Sequence, residues 1–65
     1  MKLTKREKDI CRYLVEGKNN IEIAKLLFLS QHTVKAYVSS IIAQLGAKNR
    51  THVAYILGKE NIINL

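Results

Sequence analysis

Asn20-Ile21-Glu22-Ile23-Ala24-Lys25-Leu26-Leu27-Phe28-Leu29-Ser30-Gln31-His32-Thr33-Val34-Lys35 reads as two short helices joined by a tight turn. The first helix is expected at about 21–28, capped by Asn20, with Ile23 and Leu27 pointing inward. Ala24 is small, so a second helix can cross it closely. Phe28-Leu29 form the turn, and Ser30 opens the next helix by offering its side-chain oxygen to the amides of the first turn. This pattern is that of a helix-turn-helix, whose second helix can lie in the major groove of a DNA duplex.

The flanking sequence supplies two further helices. Downstream of Ser30, Val34, Val38, Ile41 and Leu45 recur at spacings of four, three and four, which makes one apolar stripe on a helix over 31–45 that Gly46 stops. Another helix follows Asn49 over 50–60, and Ile62 and Ile63 are expected to close back as a tail. Upstream, Thr4 and Glu7 stand three apart as a capping box for a helix over 5–16. There Ile10, Cys11 and Leu14 share a face, Leu3 precedes the cap as a staple, and Gly17 can adopt the left-handed conformation that ends a helix. Ile41-Ile42 and Val53–Leu57 are rich in strand-favouring residues, but caps and helical spacing outweigh that preference. The expected fold is all-α, a four-helix bundle with a central helix-turn-helix, in one domain over 1–65.

Composition narrows the function. A chain of 65 residues buries only about 60% of its unfolded surface, which disfavours a sizeable enzyme pocket. Eleven Lys and Arg against five Asp and Glu leave a net charge of +6, which attracts polyanions. Cys11 is the only cysteine, so no internal disulfide forms and a reducing cytoplasm is the simplest location. The N-terminus is charged and the longest apolar run is Val53–Leu57, so no membrane span is expected. His32 and His52 lack cysteine or carboxylate at metal-ligand spacing, and no nucleophile motif or glycine-rich phosphate loop exists. Neither catalysis nor a metal or cofactor is expected.

The outer face of the 31–45 helix carries the binding chemistry. At about 100° per residue, Lys35, Ser39, His32, Ala43, Ala36 and Ser40 fall opposite the Val34 stripe. Small side chains at Ala36 and Ser39 let the helix approach base edges, and Lys35 can donate to guanine O6 or N7. Lys35 is the only charged residue from Ser30 to Leu45, so phosphate attraction falls to Lys18, Lys25, Lys48 and the amides behind Asn20 and Ser30. Thr33, Tyr37 and Ser40 can reach backbone oxygens at the groove edges. In the last helix, Thr51, Ala54, Tyr55 and Gly58 form a second, semi-apolar face on which a two-fold dimer is expected.

Leu3-Thr4, Arg6-Glu7, Gly17, Asn20, Glu22-Ile23-Ala24, Leu27, Ser30, Thr33-Val34-Lys35, Leu45-Gly46 and Asn49-Arg50-Thr51 together resemble the LuxR-type helix-turn-helix domain. The resemblance covers nearly the whole chain in one register. It implies sequence-specific binding of double-stranded DNA, usually as a homodimer on paired half-sites, with Lys35, Ala36 and Ser39 facing bases. It also implies a charge pair between Glu7 and Arg50 that ties the first helix to the last. Three positions depart from the family pattern: Tyr37 stands for a common histidine, Asn61 for a glycine, and Gln44 for a lysine whose loss predicts weaker or less salt-sensitive binding. The expected function is that of a transcription regulator's DNA-binding domain, the effector module of a two-component response regulator, with RNA polymerase as a further candidate partner. Its rivals are a promoter-binding domain like the fourth region of sigma factors and an interaction adaptor that has lost DNA binding.

Overall fold

The computed structural model describes residues 3–60, and among these it contains four helices and no strand. They are α1 (Lys5–Val15), α2 (Asn20–Leu27), α3 (Gln31–Leu45) and α4 (Arg50–Glu60). The expected tail at Ile62 and Ile63, and the Asn61 departure, lie outside the described residues.

Each helix starts where a side chain can satisfy its free amides. The Thr4 N–H donates to Glu7 Oε1 at 2.8 Å and the Glu7 N–H donates to Thr4 Oγ1 at 3.1 Å, completing the expected capping box. At α2 the expectation needs correcting: Asn19, not Asn20, is the cap. The Glu22 N–H donates to Asn19 Oδ1 at 2.8 Å and the Asn19 N–H donates to Glu22 Oε1 at 2.9 Å. Only Asn19 stands three residues before Glu22, the separation a reciprocal box requires. Ser30 Oγ accepts the Thr33 N–H at 3.0 Å as expected, and Asn49 Oδ1 accepts the His52 N–H at 2.8 Å.

The first three helices end alike. Lys18, Leu29 and Ala47 each donate a backbone N–H to the carbonyl five residues earlier, on Tyr13, Ala24 and Ile42. In each case the preceding residue is left-handed: Gly17 at φ 84°, Phe28 at φ 57° and Gly46 at φ 64°. The glycines were expected there. Phe28, expected in the turn, closes the helix in the left-handed conformation, and α2 lies one residue earlier at each end than the expected 21–28. α1 stops one residue short of its expected limit, with Glu16 as the C-cap.

The core is drawn from all four helices. Ile10, Cys11, Ile23, Val34, Ile41, Val53 and Leu57 are fully buried, joined by Leu14, Ala24 and Val38. Each large aliphatic among them gains about 1.5–3 kcal/mol relative to exposure, before entropy is counted. α1 packs chiefly on α4, and α2 chiefly on α3. Buried Ala24 presents almost no side chain at the α2–α3 crossing, which keeps the helix pair close. α3 is thereby held by its inner stripe with its opposite side outward.

Candidate nucleic-acid interface

Lys35, Ala36 and Ser39 are all exposed, as are His32, Ser40 and Ala43. The face that periodicity placed opposite Val34 is therefore open. It is a narrow face, because five of these six side chains are small or short enough to keep the helix slim and only Lys35 carries full charge. Around it, Lys25, Ser30 and Lys48 are exposed, while Asn20, Thr33 and Tyr37 are half-buried. Ser30 Oγ–H donates to Thr33 Oγ1 at 2.9 Å, so both hydroxyls belong to the N-terminal turn of α3. That turn also presents the amides and positive end of the helix dipole, a suitable partner for phosphate.

The other end of the face is tied to α1. Gln44 Nε2 donates to Glu7 Oε2 at 2.6 Å and to Ser40 Oγ at 3.1 Å. Glu7 is 7% exposed, and its carboxyl is held below the usual carboxylate range by the Thr4 backbone N–H and the Gln44 amide, against the opposing pull of burial. The expected Glu7–Arg50 charge pair is not formed. Arg50 instead donates from Nη1 to Asn20 Oδ1 at 2.6 Å and from Nη2 to the Lys18 carbonyl at 2.9 Å. The physical reason is satisfaction at both ends: Glu7 already accepts at each oxygen, and the guanidinium finds two acceptors in the connection leading into α2. Asn20 thus spends its side-chain oxygen on Arg50, and only its NH₂ group remains to meet an outside acceptor.

The last helix turns a separate face outward. Thr51, Tyr55 and Gly58 are exposed and Ala54 is half-buried. Among the described residues, a Cβ at Gly58 would meet nothing within 4 Å. Tyr55 stacks with His52 at 6.4 Å between ring centroids, and Lys59 Nζ sits 5.8 Å from the Tyr55 ring centre. His52 Nδ1 accepts the Lys48 N–H at 3.0 Å, so this imidazole also braces the α3–α4 turn.

Two features narrow the chemistry further. Cys11 is buried and its thiol is pushed up to about 11 by desolvation, with a smaller push from Glu7, which suits packing rather than nucleophilic work. Among the described residues, no cluster of His, Cys, Asp or Glu could hold a metal ion, and no helix is long and apolar enough to cross a membrane.

Sequence reasoning missed Asn19, the Gln44–Glu7 link, the Arg50–Asn20 link and the left-handed Phe28. The spacing of Asn19 and Glu22 carried the first. The others depend on contacts between elements or on a conformation that phenylalanine does not advertise.

A helix-turn-helix buried along one side of α3, with the other side open and slim, defines the DNA-binding domain of a transcription regulator. The model of the family described as bacterial regulatory proteins, luxR family, matches residues 1–57, and the chain belongs to that family. Among its relatives, the uncharacterized transcriptional regulatory protein YhcZ of Bacillus subtilis (strain 168) is 45% identical over 92% of this chain and 28% of its own length. The transcriptional regulatory protein LiaR of the same strain is 37% identical over 95% of this chain and 29% of its own length. The DNA-binding transcriptional activator DevR/DosR of Mycobacterium tuberculosis (strain ATCC 25618 / H37Rv) is 44% identical over 80% of this chain and 24% of its own. The chain therefore spans less than a third of the length of these relatives.

Proposed function

We propose that this chain recognises a specific DNA sequence by placing α3 in the major groove, as the effector module of a two-component response regulator. Lys35, Ala36 and Ser39 face base edges, with Lys35 donating to guanine. Lys25, Lys48, Ser30, Thr33, Tyr37, Ser40 and the free NH₂ group of Asn20 meet phosphates on either side. The observation that carries this reading is the division of α3 into a fully buried inner stripe at Val34 and Ile41 and an uncovered outer face at Lys35 and Ser39.

Two copies pair through the outer face of α4, using Thr51, Ala54, Tyr55 and Gly58, so that two α3 helices meet half-sites about one DNA turn apart or at a related spacing. Among the described residues, none crowds the Cβ position of Gly58, which supports close approach of a partner helix there. The domain acts in the cytoplasm as a binding module rather than an enzyme, and RNA polymerase is the partner to which bound DNA delivers it.

An NMR titration with duplex DNA at low salt, paired with sedimentation of the same samples on a palindromic site, tests both parts. Amide shifts are expected to be largest over Gln31–Ser40 and the adjoining cap and smaller around Asn20, Lys25, Lys48 and the outer face of α4, with a mass of two chains per palindrome. Unmoved resonances over Gln31–Ser40 would hand the domain to the adaptor reading, and one chain per palindrome would remove the dimer.

A further inference from the structure

A helix reads a groove only at one rotation about its own axis, because a turn of one residue swings the base-facing side chains by about 100°. Along α3 the row Ala36, Ser40, Gln44 runs at four-residue intervals, starting from Ala36 of the proposed base-facing set and continuing toward the C-terminal end of the helix. Glu7, His32, Thr33, Ala36, Tyr37 and Ser40 line one open groove of about 420 Å³ along that row. Gln44 continues the row, and its amide reaches across to Glu7. The two carboxylate oxygens of Glu7 are divided between jobs, one closing the α1 cap through Thr4 and the other receiving Gln44. Glu7 is thus fixed to its own backbone before it meets α3, which makes it a rigid stop.

We infer that Gln44 is a positioning and specificity-determining residue: within the rotation that the buried stripe of α3 imposes, its bond to Glu7 fixes the fine setting of α3 against α1, and as a neutral donor it leaves the Glu7 charge in place beside the phosphate-facing edge at Tyr37 and Ser40. The inference rests on the groove-reading proposal above. The retained negative charge disfavours phosphates of any sequence, while the fixed rotation favours only the duplex whose bases match. A lysine at position 44 would keep the link to Glu7 and cancel that charge. It would be held by Glu7, so added affinity would arise from cancelled repulsion, without sequence preference.

The experiment uses the 65-residue chain and two duplexes of equal length, one selected from a random library by the unaltered protein and one unselected. Gln44→Ala is expected to reduce the ratio of selected to unselected affinity by about tenfold, the scale of one lost hydrogen bond to a charged group. Residual dipolar couplings of the free protein are expected to show α3 reoriented against α1. Gln44→Lys is expected to restore the wild-type ratio and couplings while tightening both duplexes together. Gln44 is exposed, so neither substitution removes core packing. An unchanged ratio with unchanged couplings in Gln44→Ala would overturn the inference and leave the groove reading standing. Failure of the unaltered protein to select any sequence would instead overturn the groove reading, and this inference with it.

Discussion

The two sides of α3 obey different rules although they share one backbone. Inward, Val34, Val38 and Ile41 are branched, apolar and at most 6% exposed. Outward, Lys35, Ala36, Ser39 and Ala43 are exposed and, apart from the lysine, small. Stability therefore depends on one side and the proposed DNA contact on the other. A mutation can be sorted by side before its chemistry is considered.

The sharpest break in this division is Ile41→Ala. It removes three carbons from a fully buried site shared with α1 and α4, and should cost about 2–5 kcal/mol of unfolding free energy. A domain this small holds only about 3–10 kcal/mol in total, so the urea midpoint should fall steeply. Ser39→Ala, two residues away on the outer side, should move the midpoint by less than about 0.5 kcal/mol. Equal losses from the two would mean that α3 is not divided as described.

The outer side is tested by Lys35→Ala, which should leave thermal stability unchanged and lower affinity for the selected duplex by about 1–3 kcal/mol, with relaxed base preference. Lys25→Ala should weaken all duplexes alike and flatten the dependence of log affinity on log salt by about one unit. Binding isotherms at several salt concentrations separate the two. If Lys35→Ala behaves as Lys25→Ala does, position 35 touches phosphate and the base-reading assignment is wrong.

Sequence made this division legible because both halves of it are periodic. Val34, Val38 and Ile41 announce a helix and its buried side, and the small residues between them announce the rest. Caps were legible where a single candidate stood at the right distance, as at Thr4, Ser30 and Asn49. They were ambiguous where two asparagines adjoin, and Asn19 prevailed through its spacing from Glu22. The partners of Glu7 and Arg50 were not legible. A charge pair suggested by family resemblance specifies two side chains, whereas the fold offered each of them nearer neutral partners. Position 44 shows the same limit: glutamine reads as a missing lysine until its distance to Glu7 is known.

Phe28 sets how the outer side is presented, because it closes α2 and leads into the Ser30 cap. Its φ of 57° places a side chain where glycine is the usual occupant, yet the ring is 94% exposed and gains almost nothing from burial. The left-handed region costs a residue bearing a Cβ about 1–2 kcal/mol, and glycine avoids that cost while losing about 0.5–1 kcal/mol through a more flexible unfolded chain. Phe28→Gly should therefore stabilise the domain by up to about 1.5 kcal/mol, seen as a modest rise in the urea midpoint. The helix-ending bond from the Leu29 N–H to the Ala24 carbonyl, 2.9 Å long, should survive, since the same bond forms after Gly17 and Gly46. Destabilisation by Phe28→Gly would show that the exposed ring supports the turn through contacts with α2 or α3, and that the outer side of α3 is presented by packing rather than by backbone conformation alone.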